Sequence, residues 1–547
     1  MENNTNKKYL VTSALPYANW PLHVWHVAGV HLPADIYYRF LKMMGEDCTS
    51  LCWTDEHGVG IEIAAQKKWV SEKELVTLYK EEIFSTLKKI WINYDIIEGT
   101  STNEHMELSQ EFFNTLLKNG YIEKRNEQQM FCGNCDRFLP DRYIEGTCPS
   151  CWSEWARWDQ CEKCSTLLDP IQLLDPCCKI CNNHDVIAKE TYNYYFLLSK
   201  LESTLDKRIE EKDFKKNVKS TAKKWINEWL SDRSISRDIK RGIPIPWDVD
   251  KKMYVRFEAP ISYISFLKDK VSQFRWKDTE SKIVHFLWKD NIPFHTIMWP
   301  AILLAHWGYK LPDDVVGNEF LNLEWNKIST SRDHAVWLHD IVENFNQDYI
   351  RNYLIQCIPE TKDSNFSRED FKEKSDTIAD SLWNLLNRVN TFYTRHFEWK
   401  TKWTDDTDET KEYMNLDMNL VKDSTIELMN KYKIRDAFSL IMQTIKELNR
   451  FLANTKPWNV IKTDREKTYA IINITSEYLI NIAILLHPFL PQTAEKIMKN
   501  YDMDIRQYTY ADVWNIQLWC KDIQDNWYIF KKISDEEIKS EIHKLLK

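Results

Sequence analysis

The chain has 547 residues, more than one hydrophobic core serves, so three or four domains are expected. A hydrophobic fraction of 43% and a charged fraction of 28% are those of a soluble globular protein, and a net charge of −9 argues against a surface coated in basic charge for unspecific nucleic-acid binding. No apolar run approaches the ~20 residues of a membrane span, and the polar lead-in at residues 1–8 has no apolar h-region, so a cytoplasmic protein without membrane contact is expected.

Two residue counts depart from the ordinary. Glycine is 11 of 547 where ~7% is usual, and tryptophan is 24 of 547. A chain of this length has many places that need positive φ or close backbone approach, and glycine is the default there.

In chain order, residues 8–14 (K-Y-L-V-T-S-A) read as a buried strand, followed by a turn-rich P-Y-A-N-W-P at 16–21. Helical spacing begins near His23 and runs to about Met44. A second strand-like run ends at Cys52, just ahead of T-D-E-H-G at 54–58, and helical patterns follow to about Asn119. Strand, loop and helix in alternation predict a parallel α/β domain. Between about 121 and 192 the texture turns Cys-rich and turn-rich, as an inserted module would. Apolar runs at 253–257 and 283–287 predict strands that complete the α/β sheet after the insertion. Lys215, Lys216, Lys219, Lys223 and Lys224 read as a solvated helix face. From about 367 the pattern is long and helical. In 434–452, Ile434, Ala437, Phe438, Ile441, Ile445, Leu448 and Leu452 mark one apolar face of a bundle helix.

Eight cysteines form four C-x-x-C pairs: Cys132/Cys135, Cys148/Cys151, Cys161/Cys164 and Cys178/Cys181. Two thiolates at that spacing bite one tetrahedral Zn²⁺, so four pairs fit two structural four-cysteine sites, associated either consecutively or nested. Cys177 neighbours Cys178, but only Cys178 has the right spacing to Cys181. Cys48, Cys52, Cys357 and Cys520 read as packed thiols. A zinc ribbon that binds RNA alone would explain this stretch and nothing else.

His23-Val24-Trp25-His26 stands where the first strand's loop enters a helix, and imidazoles and helix N-terminal amides there suit phosphate charge. Lys327-Ile328-Ser329-Thr330-Ser331 follows the last α/β strand. Each is weak alone; as a pair in this order they resemble the H-I-G-H and K-M-S-K-S signatures of class I aminoacyl-tRNA synthetases. A-L-P-Y-A-N at 14–19, T-D-E-H-G at 54–58, A-P-I-S-Y at 259–263, Phe294-His295, Trp299-Pro300, N-L-L-N-R at 384–388 and Pro457-Trp458 extend the resemblance to the methionyl-tRNA synthetase family over essentially the whole chain.

The resemblance implies an α/β fold: a Rossmann-type parallel-sheet catalytic domain with an inserted zinc-knuckle module, then an all-α helical-bundle anticodon-binding domain. The expected divisions are 1–120 and 241–335 for the catalytic halves, 121–240 for the insertion, 336–366 for a linker that contacts the tRNA stem, and 367–547 for the bundle. It implies methionine, ATP with Mg²⁺ and tRNA(Met) as substrates. His23, His26 and Lys327 would be catalytic, with Lys289, Asp290 and Ser329 also on ATP. Asp55 would take the substrate ammonium, and Leu15, Tyr17, Ala259, Pro260, Tyr263 and His295 would shape a thioether pocket. Asn384, Arg388 and Trp458 would meet the anticodon, Trp458 by stacking. Family members that keep only the two middle Cys pairs imply nesting: Cys148, Cys151, Cys161 and Cys164 inside, Cys132, Cys135, Cys178 and Cys181 outside. A monomer is expected, because the chain ends soon after the bundle. A catalytically impaired tRNA-binding protein and a class I synthetase for another amino acid are the competing readings.

The chain departs from the family pattern at several points. Trp25 stands at the glycine of the first signature, and Trp20, Trp53, Trp288 and Trp325 stand at four more family glycines. Arg256 replaces a tryptophan of the methionine pocket, Glu258 an aspartate beside it, and Thr330 the second lysine of K-M-S-K-S. Indoles at 25 and 288 would crowd the nucleotide, so reduced or absent adenylation is expected.

Overall fold

Residues 8–13 alternate too little to be an edge strand, and they form the centre of the sheet. The structure is a computed structural model describing residues 7–516 except 141–142, 155, 158–160, 162–163, 165–167, 169, 268–272, 328–334 and 402–415, with 518, 523 and 536 as isolated residues. Strand β1 (Lys8–Ser13) pairs in parallel with β2 (Asp47–Thr54) on one side and with β6 (Lys282–Trp288) on the other. Beyond them lie β3 (Ile96–Gly99) and β7 (Asp314–Asn318), so the order is β7-β6-β1-β2-β3. The chain leaves β1 toward β2 and returns later through β6. This reversal opens a crevice at the carboxyl ends of β1 and β6, where open α/β sheets bind ligands.

Apolar residues cover both faces of the sheet, as parallel strands require. One face packs on the helical run 24–43, whose last segment is α1 (Leu32–Met43), and shares its core with the C-terminal bundle. The other face packs on α4 (Asn103–Lys118) and on residues 257–267. Between β2 and α4 the chain forms α2 (Val59–Lys68) and α3 (Glu72–Lys89).

The insertion is carried on a long antiparallel ribbon, β4 (Ile122–Cys132) with β5 (Val186–Phe196). A third core of buried cysteines with Met130, Leu139, Tyr143 and Ile144 closes its tip. Lys219 and Lys223, on α5 (Lys216–Trp229), face Glu210 and Asp206, so that basic run is largely ion-paired and Lys215 is buried.

The strand expected at 253–257 is a correction. Asp248–Met253 is a strand, but of a separate antiparallel sheet, and Tyr254 begins a helical turn at Val255–Glu258. M-Y-V-R-F alternates like a strand, yet Phe257 and Glu258 turn inward together. The parallel sheet is completed by β6 and β7 alone.

After α6 (Leu338–Asn344), the bundle contains α7 (Gln347–Gln356), α8 (Asn384–His396), α9 (Met418–Asn430), α10 (Ile434–Thr455) and α11 (Arg465–Leu486). The seven apolar positions expected on one face of α10 are all buried. Helix α11 corrects the reading that no apolar run nears membrane-span length: it is long and apolar enough, and that stretch is wholly buried as the bundle's central helix. Arg351 of α7 ties the bundle to the catalytic domain. Its guanidinium contacts Asp35 Oδ2 at 2.8 Å and donates to the carbonyls of Phe489, Pro488 and Ile90. Cys48, Cys52 and Cys357 are buried thiols, and Cys520 lies outside the described residues.

Candidate active site

His23 occupies the N-cap of the helical run, with its ring 3.8 Å from the His26 ring and its backbone N–H donating to His26 Nδ1 at 3.2 Å. Burial pushes His26 down to about 4, and burial with the neighbouring His26 pushes His23 well below the usual histidine range. Both imidazoles are therefore neutral near pH 7 and offer hydrogen bonds rather than charge. His23 Nδ1 is buried without a partner, a donor or acceptor available to a ligand.

The first signature is bonded through the backbone to the segment at 336–338. Val24 N–H donates to the Val336 carbonyl at 3.0 Å, and Leu338 N–H donates to the Leu22 carbonyl at 2.8 Å. This clasp brings back the chain that has just passed the second signature. Lys327 lies in a hairpin strand, β9 (Asn326–Lys327), antiparallel to β8 (Leu321–Leu323). The side chain of Lys327 and all of Ser329 lie outside the described residues. The hairpin turns on Glu324 (φ 46°) and Trp325 (φ 65°), the two positive φ values of a type I′ turn that favours Asn-Gly.

The crevice beside His23 is filled with aromatic rings. Trp25 packs 6.0 Å from Trp288, 5.5 Å from Phe320 and 5.7 Å from His23, and Trp288 stands 5.3 Å from His26. Both indole N–H groups are buried without an acceptor. Gly29 faces them: a β-carbon there would sit 2.8 Å from the Trp288 ring, too close for any side chain. Asn318 at the end of β7 donates to the Gly29 carbonyl at 2.7 Å. Lys289 is paired with Glu319, and Asp290 follows in the same short 3-10 turn.

The other end of the crevice has a different character. Asp55 is held by backbone bridges to the 16–18 segment, Asp55 N–H to Pro16 O at 2.9 Å and Ala18 N–H to Asp55 O at 3.0 Å, which set it beside Tyr17. Burial and the Glu258 charge raise its pKa well above the usual carboxylate range. Tyr263 and His295 are fully or nearly buried, 2.7 Å apart from Oη to Nε2. His295 Nδ1 lies 3.0 Å from the Asn291 carbonyl, which only accepts, so Nδ1 carries the proton and Nε2 accepts from Tyr263. Ala259 is buried and Pro260 half-buried on the turn just before Tyr263, and Leu15 packs against the same core. Arg256 lines the cleft with Tyr17, Asn19, His57 and Tyr254, its guanidinium 4.7 Å over the Phe294 ring.

Sequence reasoning missed the group at the centre of this end. Glu258 is fully buried and bridges two imidazoles, Oε1 to His57 Nδ1 at 3.0 Å and Oε2 to His105 Nε2 at 2.6 Å; His105 Nδ1 reaches Ser265 Oγ at 3.0 Å. Burial alone would raise Glu258, but His57 and His105 outweigh it and hold its pKa below the usual value. His57 belongs to T-D-E-H-G and could have been found there; His105 has no motif around it.

Two further groups are built for a metal. Cys132, Cys135, Cys178 and Cys181 converge, as do Cys148, Cys151, Cys161 and Cys164, which settles the pairing as nested. Sulfur separations are 3.6 Å (Cys132–Cys181), 3.9 Å (Cys135–Cys178), 3.8 Å (Cys148–Cys164) and 3.6 Å (Cys151–Cys161). A tetrahedral centre with bonds of about 2.3 Å separates its sulfurs by about 3.8 Å, so both sets fit, and a disulfide is far shorter.

In the bundle, Asn384 and Arg388 sit on the first turns of α8, half-buried and exposed respectively, and Trp458 is exposed just beyond α10. Asn449, near the end of α10, donates to the Ser381 carbonyl at 2.8 Å and holds these two regions against each other.

Comparison with known proteins agrees with this layout. Residues 9–390 match the model for class I tRNA synthetases of the methionine group, and 402–545 match the anticodon-binding domain of methionyl-tRNA ligase. The methionine–tRNA ligase of Bacteroides fragilis is 40% identical over 100% of this chain and 82% of its own. That of Pyrococcus furiosus is 38% identical over 97% of this chain and 76% of its own. A Mycobacterium tuberculosis methionyl-tRNA synthetase in complex with methionyl-adenylate has the same fold, with a TM-score of 0.79 over 95% of this chain and 98% of that one, at 22% identity.

Proposed function

The chain belongs to the methionyl family of class I aminoacyl-tRNA synthetases, and from that premise we propose how its residues divide the work of an ATP-dependent methionine–tRNA ligase. The methionine carboxylate attacks the α-phosphorus of Mg·ATP and pyrophosphate leaves. The 3′-terminal ribose hydroxyl of tRNA(Met) then attacks the acyl carbon of methionyl-adenylate, and AMP leaves. Neither step needs a covalent enzyme intermediate, so placement and charge stabilisation are the protein's task.

The observation that supports the reading is the backbone clasp between 22–24 and 336–338, which holds the first signature against the chain that follows the second. His23 and His26 donate to the phosphates, Lys327 and Ser329 neutralise the departing pyrophosphate, and Lys289 and Asp290 hold the ribose end. Asp55 exchanges its proton-favouring environment for the substrate ammonium. Leu15, Tyr17, Ala259, Pro260, Tyr263 and His295 enclose the thioether, with the His295 tautomer fixed as described. Asn384, Arg388 and Trp458 read the anticodon.

Residues 1–120 and 241–335 form the catalytic body, 121–240 the insertion, 336–366 the stem contact and 367–547 the tRNA-reading bundle. Each four-cysteine group takes one Zn²⁺, which supplies a structural crosslink, since four thiolates leave no open position. The reading includes a cytoplasmic monomer.

Amino-acid-dependent ATP–pyrophosphate exchange tests the assignment, run on the parent chain and on Trp25→Gly/Trp288→Gly. Methionine should exceed leucine and cysteine by at least ~10-fold, the discrimination a hydrophobic pocket can reach. Equal exchange with leucine overturns it. A zinc assay should return two ions per chain, and Cys148→Ala should lose one of them while the Cys132 group keeps the other.

A further inference from the structure

Tryptophan occupies backbone positions in this fold that are built for glycine. Six of the described helices end in the same pair of bonds, a six-residue and a four-residue return to the last turn: two at glycine, two at tryptophan, and one each at Tyr432 and Asp502. At Gly45 they are Glu46 N–H to Leu41 O and Gly45 N–H to Lys42 O, and at Gly120 they are Tyr121 N–H to Leu116 O and Gly120 N–H to Leu117 O. At Trp69 they are Val70 N–H to Ala65 O and Trp69 N–H to Gln66 O; at Trp91, Ile92 N–H to Leu87 O and Trp91 N–H to Lys88 O. The turn residue has φ 78° and 77° at the two glycines and φ 57° and 63° at the two tryptophans. This left-handed cap is glycine's commonest role. Tyr432 ends another helix at φ 56°, but its ring is buried and its hydroxyl donates to Asp314 Oδ2 at 2.6 Å. The Trp69 indole is 94% exposed and gains no such packing.

The pattern extends to other positions of positive φ. Trp152, Trp307, Trp325, Trp399 and Trp514 have φ between 56° and 69°, so seven of the fifteen non-glycine residues with positive φ among those described are tryptophan. Asparagine and aspartate are the residues enriched in that region, and a bulky one there is an outlier. Trp25, Trp53 and Trp288 extend the set to buried sites where a glycine would let a ligand or a neighbour approach, and each has an indole N–H without an acceptor. By contrast Trp276, with its N–H donating to Tyr263 O at 2.8 Å, and Trp337, at φ −75°, sit as ordinary tryptophans do.

We infer that the source cell inserts glycine at the first group of positions, through one codon that it decodes as glycine and that is distinct from its tryptophan codon. Independent loss of glycines would scatter over alanine, serine, aspartate, valine and arginine, whereas among the described residues with positive φ none is alanine, serine, valine or arginine and tryptophan is the commonest type. UGA lies one base from a glycine codon and one base from the tryptophan codon, which gives it the required ambiguity. The glycine deficit and the tryptophan excess are then the same set of positions counted twice. With Trp25 and Trp288 reduced to glycine, the ring cluster between His23, His26 and Gly29 disappears and the crevice is open along the backbone of the helical run.

The test reads the gene and the protein from the source organism. Positions 25, 69, 91, 288, 307 and 325 should share one codon, different from the codon at Trp276 and Trp337. Peptides spanning them should be lighter, with hydrogen in place of an indolylmethyl group. The tryptophan codon at these sites, or peptides that retain the indole, overturns the inference. Only the consequence for the nucleotide rests on the adenylation reading, and it fails separately. Trp25→Gly/Trp288→Gly should raise methionine-dependent exchange by at least ~10²-fold, the cost of a misplaced reactant. A folded variant with no gain counts against methionine activation and leaves the codon and mass results standing.

Discussion

The two ends of the crevice solve the problem of buried polarity in opposite ways. At the amino-acid end, Tyr263 donates to His295, His295 donates to Asn291, and Glu258 joins His57 and His105 with Ser265 behind them. At the nucleotide end, His23 Nδ1, His31 Nε2, Trp25 Nε1 and Trp288 Nε1 are buried without partners. The first end is a connected network of polar side chains, although Trp53 Nε1, His285 Nε2 and Trp299 Nε1, packed around Tyr263, also lack partners. The second leaves two imidazole nitrogens and two indole N–H groups unpartnered in a crevice filled by the rings of Trp25 and Trp288.

Removing the hub of the closed end should have the largest effect on stability. Glu258→Ala leaves His57 and His105 without their shared acceptor, and breaking a buried pair of this kind costs about 3–5 kcal/mol. Urea denaturation should show that loss; a change below about 1 kcal/mol, the worth of an ordinary exposed contact, would falsify the view of this end as a connected unit.

Acid should act on both ends through buried histidines. Burial lowers His295 to about 4 and His31 to about 3, against an unfolded value near 6.5. A folded pKa below the unfolded one means the unfolded chain binds the proton first. Their contribution is whole above about pH 6.5 and is lost as pH falls toward 4, on the order of 3 kcal/mol for His295. In His295→Gln, whose amide can still donate to Asn291, the acid slope of stability between pH 6.5 and 4 should flatten; an unchanged slope removes His295 from the account.

The smallest effect sharpens the comparison at the nucleotide end. Trp325 is 82% exposed at φ 65° in the hairpin that leads to Lys327, so Trp325→Gly relieves left-handed strain and gives up little packing. It should stabilise the chain by about 1 kcal/mol, the lower end of the left-handed penalty. A lower thermal midpoint in that variant would show that the indole does more than strain its turn.

Much of this was legible in the sequence, for reasons that differ by element. The strand at 8–14 and the helix face at 434–452 are local periodicities, and the structure reproduces both. The cysteine pairs carry their spacing in the chain, although only the fold brings Cys132 to Cys181. The four-residue β3 was hidden inside a stretch of helical patterns, because so short a strand has too few residues to establish a period. The 253–257 segment has a strand's alternation but a helix's role, since Tyr254 N-caps a turn that buries Glu258 against histidines from 57 and 105. His105 carries no local mark: its function depends on a carboxylate 153 residues away. His23 and His26 were legible as a motif, and the indoles of Trp25 and Trp288 packed beside them as a departure from it.

The clasp between Leu22 and Leu338 also sets a timetable. The His23–His26 turn emerges early from the ribosome, but the segment that fixes it is more than three hundred residues downstream, behind the whole insertion. At about 5–20 residues per second, the first signature waits on the order of tens of seconds for its partner. During that interval the nascent chain carries the first signature without the backbone bonds that clasp it.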